Sequence, residues 1–399
     1  MPDVSIVGCD NYSEETVKAA YDELFASLDA LSWVKSGMTV GIKANLVTFK
    51  HPEAAATVHP TLLAELTRRL IALGARVIIG DSPGGAYSVK ALSMVYSFTG
   101  MQEAEAAGAV LNRNVETREA ECIDGMVLRR FPYTAWLDEV DAIIGFSKLK
   151  THGMMGMSGA VKNMFGVIPG VIKPEFHYRF PNQTDFANML IDLNEHFKPR
   201  LYIMDAVVGM EGNGPTAGKP KKIGALMASF SPYKLDAAAA EIIGLDGKSV
   251  LTVKAAAERG LSPESAKELS LYGEISPYRV PDFELLPTKS VDNLGEFLIV
   301  NKFIQANLVA VPKVKASECI SCGKCEDMCP AHAITLRAKT LHAKTLHAIT
   351  LRTKTLTGGH KTPHFDRKRC IRCFCCQEFC PKGALKVKRP LLARLFTKV

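Results

Sequence analysis

The sequence predicts an α/β protein with a mostly parallel sheet covered by helices on both faces, followed by a small α+β domain rich in cysteine. Three observations support this prediction. Apolar runs alternate with helical patterns over most of the first 312 residues. The length of 399 residues suits two to three domains at about 150 residues each. Nine of the eleven cysteines lie between Cys319 and Cys380.

The elements of the first domain follow in order. Ser13 has the position of a helix N-cap, and Thr16–Leu28 has the pattern of the helix behind it. A second helix is predicted to begin near Pro60 and to stop at Gly74. Continuous apolar runs are typical of parallel strands buried on both faces. They occur at Val4–Val7, Met38–Ile42, Val77–Ile79, Val140–Phe146 and Leu201–Met204, and Ile223–Met227 is a further candidate.

Charge changes sign near residue 312. Residues 1–312 carry 30 Lys and Arg against 36 Asp and Glu, a net charge of −6, whereas residues 313–399 carry 19 against 5, a net charge of +14. We therefore predict domains over 1–312 and 313–399. A basic block can indicate nucleic-acid binding, but this one lacks interleaved aromatic residues for stacking on bases. We expect no nucleic-acid partner.

Composition and the N-terminus set the expected location. The chain is 47% hydrophobic and 23% charged, which is ordinary for a globular protein. No run approaches 18 apolar residues, so we expect no transmembrane segment. Met1–Gly8 has neither the basic start nor the apolar stretch of a secretory signal. We expect a cytoplasmic protein.

Polar residues follow four of the predicted strands. Ligands bind at the carboxyl ends of strands in open α/β sheets, so the sequence predicts a pocket there. We assign catalytic roles to Lys43, Lys150, His152, Asp205 and Glu211, and ligand-binding roles to Asn45, Asp81, Ser82, Lys162 and Asn163.

Lysines near glycines indicate an anionic small molecule such as a phosphate or a carboxylate. His152 and also His177 have the chemistry for proton transfer. Asp205 and Glu211 are candidates to pair or to bind a divalent ion. For each residue a structural role is the alternative, as a solvated lysine or a hydrogen-bonded histidine.

The cysteines form two runs with the spacing C-x2-C-x2-C-x3-C-P. In two-cluster bacterial ferredoxins the fourth cysteine of such a run ligates the other cluster. The sequence therefore predicts two [4Fe-4S] clusters, and two complete runs ending in Pro disfavour zinc. Cys375 lies outside the spacing, and we expect it not to be a ligand. The predicted ligand sets are Cys319, Cys322, Cys325 and Cys380 for one cluster, and Cys370, Cys373, Cys376 and Cys329 for the other.

Five pentads, AITLR, AKTLH, AKTLH, AITLR and TKTLT, occupy residues 333–357 between the two runs. A period of five fits neither a strand nor a helix face. We therefore predict an inserted loop without chemistry, in which His342 and His347 are incidental.

Two resemblances follow from these motifs. Residues 317–387 resemble the bacterial two-[4Fe-4S] ferredoxin module. Residues 1–260 resemble the family catalogued as domain of unknown function 362, whose members are often joined to such a module and are distantly similar in fold to nickel-pincer lactate racemase. The motifs that carry the second resemblance are Lys43–Leu46, Thr57–Pro60, Gly80–Gly84, Lys148–His152, Val161–Gly166 and Met210–Pro215. Ser231 stands where the family often has Asp, so we assign that turn no catalytic role.

The resulting functional hypothesis is a ferredoxin-like iron–sulfur oxidoreductase that passes electrons between its clusters and an anionic ligand of the α/β domain. It implies a redox partner protein. Two alternatives stay open: an electron carrier whose large domain only docks a partner, and a racemase-like or isomerase-like enzyme with structural clusters.

Overall fold

The computed structural model describes residues 1–286, 310–338 and 360–388. The chain forms two compact units, Met1–Lys289 and Ser290–Val399. The division between the units thus falls before the predicted boundary near residue 312, and that boundary stays a prediction. The first described strand of the second unit begins at Val311.

The first unit is built on a mostly parallel sheet, which confirms the predicted fold class. The described strands of this unit are β1 Val4–Gly8, β2 Thr39–Ala44, β3 Arg76–Gly80, β4 Val110–Leu111, β5 Thr117–Glu121, β6 Arg130–Thr134, β7 Ala142–His152, β8 Gly156–Ser158, β9 Leu201–Glu211, β10 Lys219–Ser229 and β11 Leu271–Tyr272. Nine of them form the sheet in the order β11-β1-β10-β9-β7-β2-β3-β4, with β8 paired to β7, and β5 and β6 pair with each other separately. β10 runs antiparallel to both neighbours, β1 and β9.

Helices connect the strands. As predicted, Ser13 caps the first helix, where its side chain accepts the Thr16 N–H. The α-helices are α1 Glu14–Leu28, α2 Pro60–Ala72, α3 Val89–Phe98, α4 Gln102–Ala106, α5 Ala160–Asn163, α6 Lys173–Arg179, α7 Gln183–Phe197, α8 Pro232–Ile242 and α9 Leu251–Glu258. Short 3₁₀ helices span Pro52–Ala54, Ala135–Glu139, Met164–Val167, Gly247–Ser249, Ala266–Glu268, Ser276–Tyr278 and Ala316–Glu318.

Two hydrophobic cores show that helices cover both faces of the sheet. Side chains alternate between the faces of a strand. On β9, Ile203 packs into a core with α1 and α2, whereas Met204 packs into a second core with α8 and α9. The continuous apolar runs in the sequence follow from this two-sided burial.

Two strands are longer than predicted. The sequence placed the end of one strand at Phe146 and of another at Met204, but β7 continues to His152 and β9 to Glu211. The polar residues assigned to loops therefore lie within paired strands. The prediction was wrong because it required apolar residues throughout a strand. Polar side chains that have hydrogen-bonding partners can also occupy buried positions of a strand.

The second unit contains two antiparallel strand pairs. β12 Val311–Val314 pairs with β15 Leu385–Lys388, and β13 Ile334–Ala338 pairs with β14 Lys361–Phe365. Single-turn helices lie at Lys324–Asp327 and Cys375–Glu378. The first pentad is thus mostly strand, which corrects the predicted loop. The other pentads, including His342 and His347, lie outside the described residues from residue 339 onward.

Among the helices of the described residues, none has both the length and the apolar character required to cross a bilayer.

Candidate functional site

The structure gathers the predicted polar residues at one edge of the sheet. β3, β2, β7 and β9 lie side by side and run parallel, so their carboxyl ends meet. Lys43, Asp81, Lys150 and Asp205 are all buried there. Charged side chains are almost never fully buried unless they are paired. The partners of each side chain therefore indicate whether it supports the fold or faces a ligand.

Lys43 is held in a buried ion pair. Its Nζ lies 3.0 Å from Asp81 Oδ1 and donates to Asn163 Oδ1 at 2.8 Å. Asn163 Nδ2 donates in turn to the Lys43 carbonyl at 2.9 Å. Burial lowers the pKa of Lys43, and the Asp81 carboxylate opposes that shift. These three predicted site residues come together, and their hydrogen bonds join β2, the segment after β3 and α5.

Glycines permit the close packing around this ion pair. A Cβ at Gly166 would lie 2.2 Å from Asp81 Oδ1 and 2.5 Å from Lys43 Nζ. The predicted Ser82 lies beside it, where its Oγ accepts the Gly170 N–H at 2.8 Å. The Ser82 carbonyl accepts a hydrogen bond from Lys173.

Sequence reasoning gave no role to Gly170 or Lys173 and quoted Gly166 only within a family motif. The glycine between Phe165 and Val167 hints at close packing in the sequence. It does not indicate which distant residues pack against it.

Lys150 fastens the segment after β2 to β7. Its Nζ donates to Asn45 Oδ1 at 2.7 Å and to the Ala56 carbonyl at 2.7 Å. The structure thus brings together two residues that were predicted to share a site. These two hydrogen bonds tie the segment after β2 to the extended part of β7.

Asp205 belongs to a second buried ion pair, with Lys148 Nζ 2.8 Å from its Oδ2. Tyr12 Oη donates to Asp205 Oδ1 at 2.9 Å and accepts from Lys148 Nζ at 2.9 Å. The His59 N–H also donates to this carboxylate at 3.1 Å, and the His59 ring stacks on Tyr12 with centroids 3.7 Å apart. Burial lowers the pKa of His59 to about 4. The partners of this network are satisfied, which is typical of a structural role.

Glu211 does not pair with Asp205. It lies at the far end of β9, six positions along the strand, and its carboxylate accepts the Glu284 N–H at 2.9 Å. Its side chain is partly exposed, whereas Asp205 is fully buried. The predicted carboxylate pair is therefore wrong, because it assumed that both residues lay in one loop.

Lys162 differs from the other lysines. Its side chain is 8% exposed. Among the residues that the structure describes, no acceptor or carboxylate contacts its Nζ, which lies 5.4 Å from the centroid of the Phe165 ring. A cation over an aromatic face gains about 0.5–2 kcal/mol. The ring is thus the contact that the described residues offer the Lys162 ammonium, and no described carboxylate pairs with it.

Two histidines lie in the electrostatic field of Lys162. His177 stacks on Phe186 with centroids 4.4 Å apart, and its buried Nδ1 has no hydrogen-bond partner in the described part of the chain. Burial and the Lys162 charge lower the pKa of His177 to about 3. His152 has a pKa well below its usual value for the same two reasons. Its Nδ1 accepts the N–H groups of Met154 and Met155, which assigns its proton to Nε2.

Asp236 anchors the segment that carries Lys162. Its carboxylate accepts the Ala160 N–H at 2.6 Å and the Val161 N–H at 3.1 Å. A Cβ at Gly159 would lie 2.1 Å from Asp236 Oδ1, so glycine is required there. Burial raises the pKa of Asp236 to about 7, although both N–H groups favour the charged form. The sequence gave no signal for this contact, since Asp236 lies in an apolar helix.

In the second unit, four predicted ligands surround one cavity. Cys319, Cys322, Cys325 and Cys380 all line it. Burial raises the pKa of the Cys325 thiol to about 11, and Cys322, Cys380 and Cys319 add to that shift. Four thiols around one space fit an iron–sulfur cluster, which binds thiolates at its corners.

The other four cysteines also come together. Burial raises the pKa of the Cys376 thiol, and the neighbouring Cys373, Cys370, Cys325 and Cys329 raise it further. Cys376 thus lies near the three other cysteines of its predicted set and also near Cys325 of the first set. Ligation itself stays a prediction for both sets.

The two cysteine runs share a backbone conformation. Ser321 and Arg372 occupy equivalent positions and have left-handed φ values of 56° and 58°. Gly323 and Phe374 are also equivalent and have φ values of 81° and 59°. Each run then enters a single-turn helix, so the repeated spacing in the sequence corresponds to a repeated fold.

The described residues contain no group of three His, Cys, Asp or Glu side chains close enough to hold a single metal ion. Zinc holds its thiolates about 2.3 Å from one ion, whereas a four-iron cluster spreads them over its corners.

Comparison with known proteins assigns both units. Residues 40–241 match the family described as Domain of unknown function (DUF362). The chain belongs to this family. Residues 318–384 match a 4Fe-4S dicluster domain, so this DUF362 protein is also an iron–sulfur protein.

The sequence is also similar to that of a cyanobacterial protein. A protein of Synechocystis sp. (strain ATCC 27184 / PCC 6803 / Kazusa), described as thylakoid-associated, is 29% identical over 266 residues, which are 66% of this DUF362 chain and 81% of that protein.

Two solved structures are similar in part. The lactate racemase apoprotein from Thermoanaerobacterium thermosaccharolyticum matches with a TM-score of 0.37 and 13% identity, over 58% of this chain and 55% of the racemase. A Thermotoga maritima protein matches with a TM-score of 0.32 and 14% identity, over 51% of this chain and 52% of its own. The chain thus spans about half the length of each.

Proposed function

We propose that this DUF362 protein is an oxidoreductase that passes electrons between its iron–sulfur clusters and an anionic small molecule held beside Lys162. The observation that carries the proposal is Lys162, a residue that is only 8% exposed and whose ammonium has no counter-ion among the described residues. Removing an ion from water costs several kcal/mol unless an opposite charge compensates. A carboxylate or phosphate would supply that charge.

The neighbouring residues suit such a ligand. The neutral His152 and His177 are imidazoles that can hydrogen bond without adding charge. His152 carries its proton at Nε2, and His177 has an unfilled position at Nδ1. Proton transfer by an imidazole to or from a bound anion would balance the arrival or loss of an electron. The rings of Phe165 and Phe186 pack edge to face, with centroids 5.4 Å apart, beside these groups.

The clusters supply one-electron chemistry when they are bound. We propose two [4Fe-4S] clusters, held by the two cysteine sets that the structure groups. This proposal predicts about eight irons per chain, because each cubane contains four. A redox partner protein and a cytoplasmic location complete the proposal, and cell fractionation tests the location.

The test uses full-length protein isolated anaerobically. Inorganic phosphate and acetate serve as anion probes, and unfolding in urea measures their effect. The parent protein should gain about 2.7 kcal/mol at an anion concentration one hundred times the dissociation constant. Lys162→Met should lose that gain. Without anion this variant should be about as stable as the parent, because the change removes no ion pair or hydrogen bond with a described residue and keeps an apolar stem of similar length.

Lys254→Met is the matched control, since Lys254 lies on α9 in an exposed ion pair with Glu258. It should respond to anions like the parent. A full anion response in Lys162→Met would show that the site is wrongly placed.

Electron transfer needs its own measurement. Mass spectrometry identifies the small molecule that co-purifies with the protein, and cluster spectra are recorded before and after it is added. If the anion binds through Lys162 but the clusters do not respond, the oxidoreductase proposal fails and the electron-carrier alternative is favoured. Conversion of the molecule by cluster-free protein would favour the isomerase alternative.

A further inference from the structure

The two cysteine sets differ in how far they are exposed. Cys322 is exposed, and Ile320 between the first two ligands is 53% exposed. At the equivalent positions of the second run, Cys373 and Ile371 are only partly exposed. The cavity of the first set is therefore the one that approaches the surface of this unit.

The helix turns add to this asymmetry. The first run continues with Gly323 and the exposed Lys324, whereas the second continues with the buried Phe374 and Cys375. The second run thus has a buried aromatic residue at the position where the first run has a glycine. The rate of electron transfer falls steeply with distance. Electrons would therefore pass between a partner and the cluster of the first set more rapidly than between a partner and the cluster of the second set.

The rim of the exposed cavity is positively charged. Its charged lining residues, within the described part of the chain, are Lys324 and Lys382, and both are exposed. Neither forms an ion pair with a described carboxylate, whereas Lys315 and Lys386 share Glu318. The Glu326 and Asp327 carboxylates follow Lys324 on the same short helix. The whole segment 313–399 has 19 basic against 5 acidic residues.

We propose that an acidic electron-carrier protein docks on the face formed by Ile320, Lys324 and Lys382. The inference rests on the proposed function, because it assumes that the clusters exchange electrons. Ile320 would supply the apolar centre of the contact, and the two lysines would attract the carboxylates of the carrier. In the transfer itself one electron leaves the reduced carrier and one cluster gains it, with no bond made or broken between the proteins.

A small acidic flavoprotein carrier is the probe. Its binding to the oxidised full-length protein is measured by calorimetry at several salt concentrations, and cluster reduction by the reduced carrier is followed by stopped-flow absorbance. Binding should weaken as salt rises, because salt screens exposed charges. The double variant Lys324→Glu, Lys382→Glu should bind roughly tenfold more weakly or worse, because a favourable charge pattern becomes repulsive.

The control reverses the same number of charges elsewhere. Lys313 and Lys388 are exposed on β12 and β15, and Lys313 points away from Val314, which lines the cavity. Lys313→Glu, Lys388→Glu should bind within about threefold of the parent, as expected for charges outside the contact. Ile320→Ser should weaken binding without changing its salt dependence. Iron content and reduction by dithionite should be the same in all variants.

Equal losses in the two double variants would overturn the proposal, since net charge alone would then explain binding. It is also overturned if Lys324→Glu, Lys382→Glu keeps the carrier but loses binding to vesicles of anionic lipid or to duplex DNA. Failure of docking with an intact response of the clusters to the co-purified anion would leave the proposed function standing. If the carrier docks as expected but the clusters do not respond to the anion, the docking proposal is supported and the proposed function fails.

Discussion

The buried lysines at the strand ends differ in whether a carboxylate pairs with them. Lys43 and Lys148 form ion pairs with Asp81 and Asp205, so their charges are compensated inside the fold. Lys162 has no such carboxylate among the described residues. Residue type alone could not separate these roles, because every one of these side chains is a lysine near a strand end. The partner decides the role, and the partner is distant in the chain.

Gly166 tests the packing around the first ion pair. Gly166→Ala should lower the free energy of unfolding by roughly 1–3 kcal/mol, the usual cost of forcing an extra carbon into a packed site. Here the added Cβ would collide with Asp81 and Lys43. Urea unfolding measures the change. Gly8→Ala is the control, since its Cβ would meet only the Tyr278 hydroxyl at 3.3 Å. Equal losses in both variants would contradict the role of Gly166.

Cys375 tests the assignment of the cluster ligands. It is fully buried and lies outside the repeated spacing. Cys375→Ala should keep the iron content and the cluster spectrum of the parent. Cys373→Ala, two residues away, should lose about half of the iron, because one of two cubanes would lack a ligand. The assignment fails if the two variants give the reverse result.

At the scale of elements, β13 and β14 form a hairpin in which Ala338 pairs with Lys361. The repeat in the sequence concealed this strand, because the first pentad reads like the four that follow it. Phe365 and Ile334, which are register partners, both pack in the core of the second unit together with Cys376. The hairpin therefore supports the cluster sites, whereas the later pentads lie outside the described residues.

This arrangement predicts the effect of two deletions. Removal of residues 339–353 should leave cluster spectra unchanged, because the ends of the hairpin are adjacent and the seven residues left between them suffice to close a loop. Removal of Ile334–Ala338, a shorter deletion, should abolish cluster assembly because it removes β13. Loss of clusters after the first deletion would show that the pentads belong to the fold.

For the whole molecule, buried histidines link stability to pH. The folded state lowers the pKa of His59 to about 4 and of His177 to about 3, and it also lowers the pKa of His152. The unfolded chain takes up protons near pH 6.5, where the folded protein stays neutral at these sites. Stability is therefore lost as the pH falls below about 6.5. Asp236, with its pKa raised to about 7, opposes this trend between pH 7 and about 4.

We therefore expect a smaller free energy of unfolding at pH 5 than at pH 7. Each such histidine contributes a slope of up to about 1.4 kcal/mol per pH unit. Anaerobic urea unfolding at pH 7, 6 and 5 measures it. His177→Phe, which keeps a ring against Phe186, should flatten the slope, whereas His51→Phe at an exposed position should not. If the stability of His177→Phe depends on pH as steeply as that of the parent, the folded state does not lower the pKa of His177.

The sequence by itself determined the alternation of strands and helices and the repeated cysteine spacing, because both are local patterns. Apolar runs report two-sided burial, and a short spacing such as Cys319 to Cys322 fixes which thiols can face one cluster. Only the tertiary structure decided that Glu211 lies apart from Asp205, and that Asp236 anchors the segment of Lys162. It also decided that Lys43 and Lys148 pair with carboxylates, whereas Lys162 meets none among the described residues. These facts depend on contacts between residues far apart in the chain, which follow from the pairing of strands and the packing of helices rather than from any local pattern.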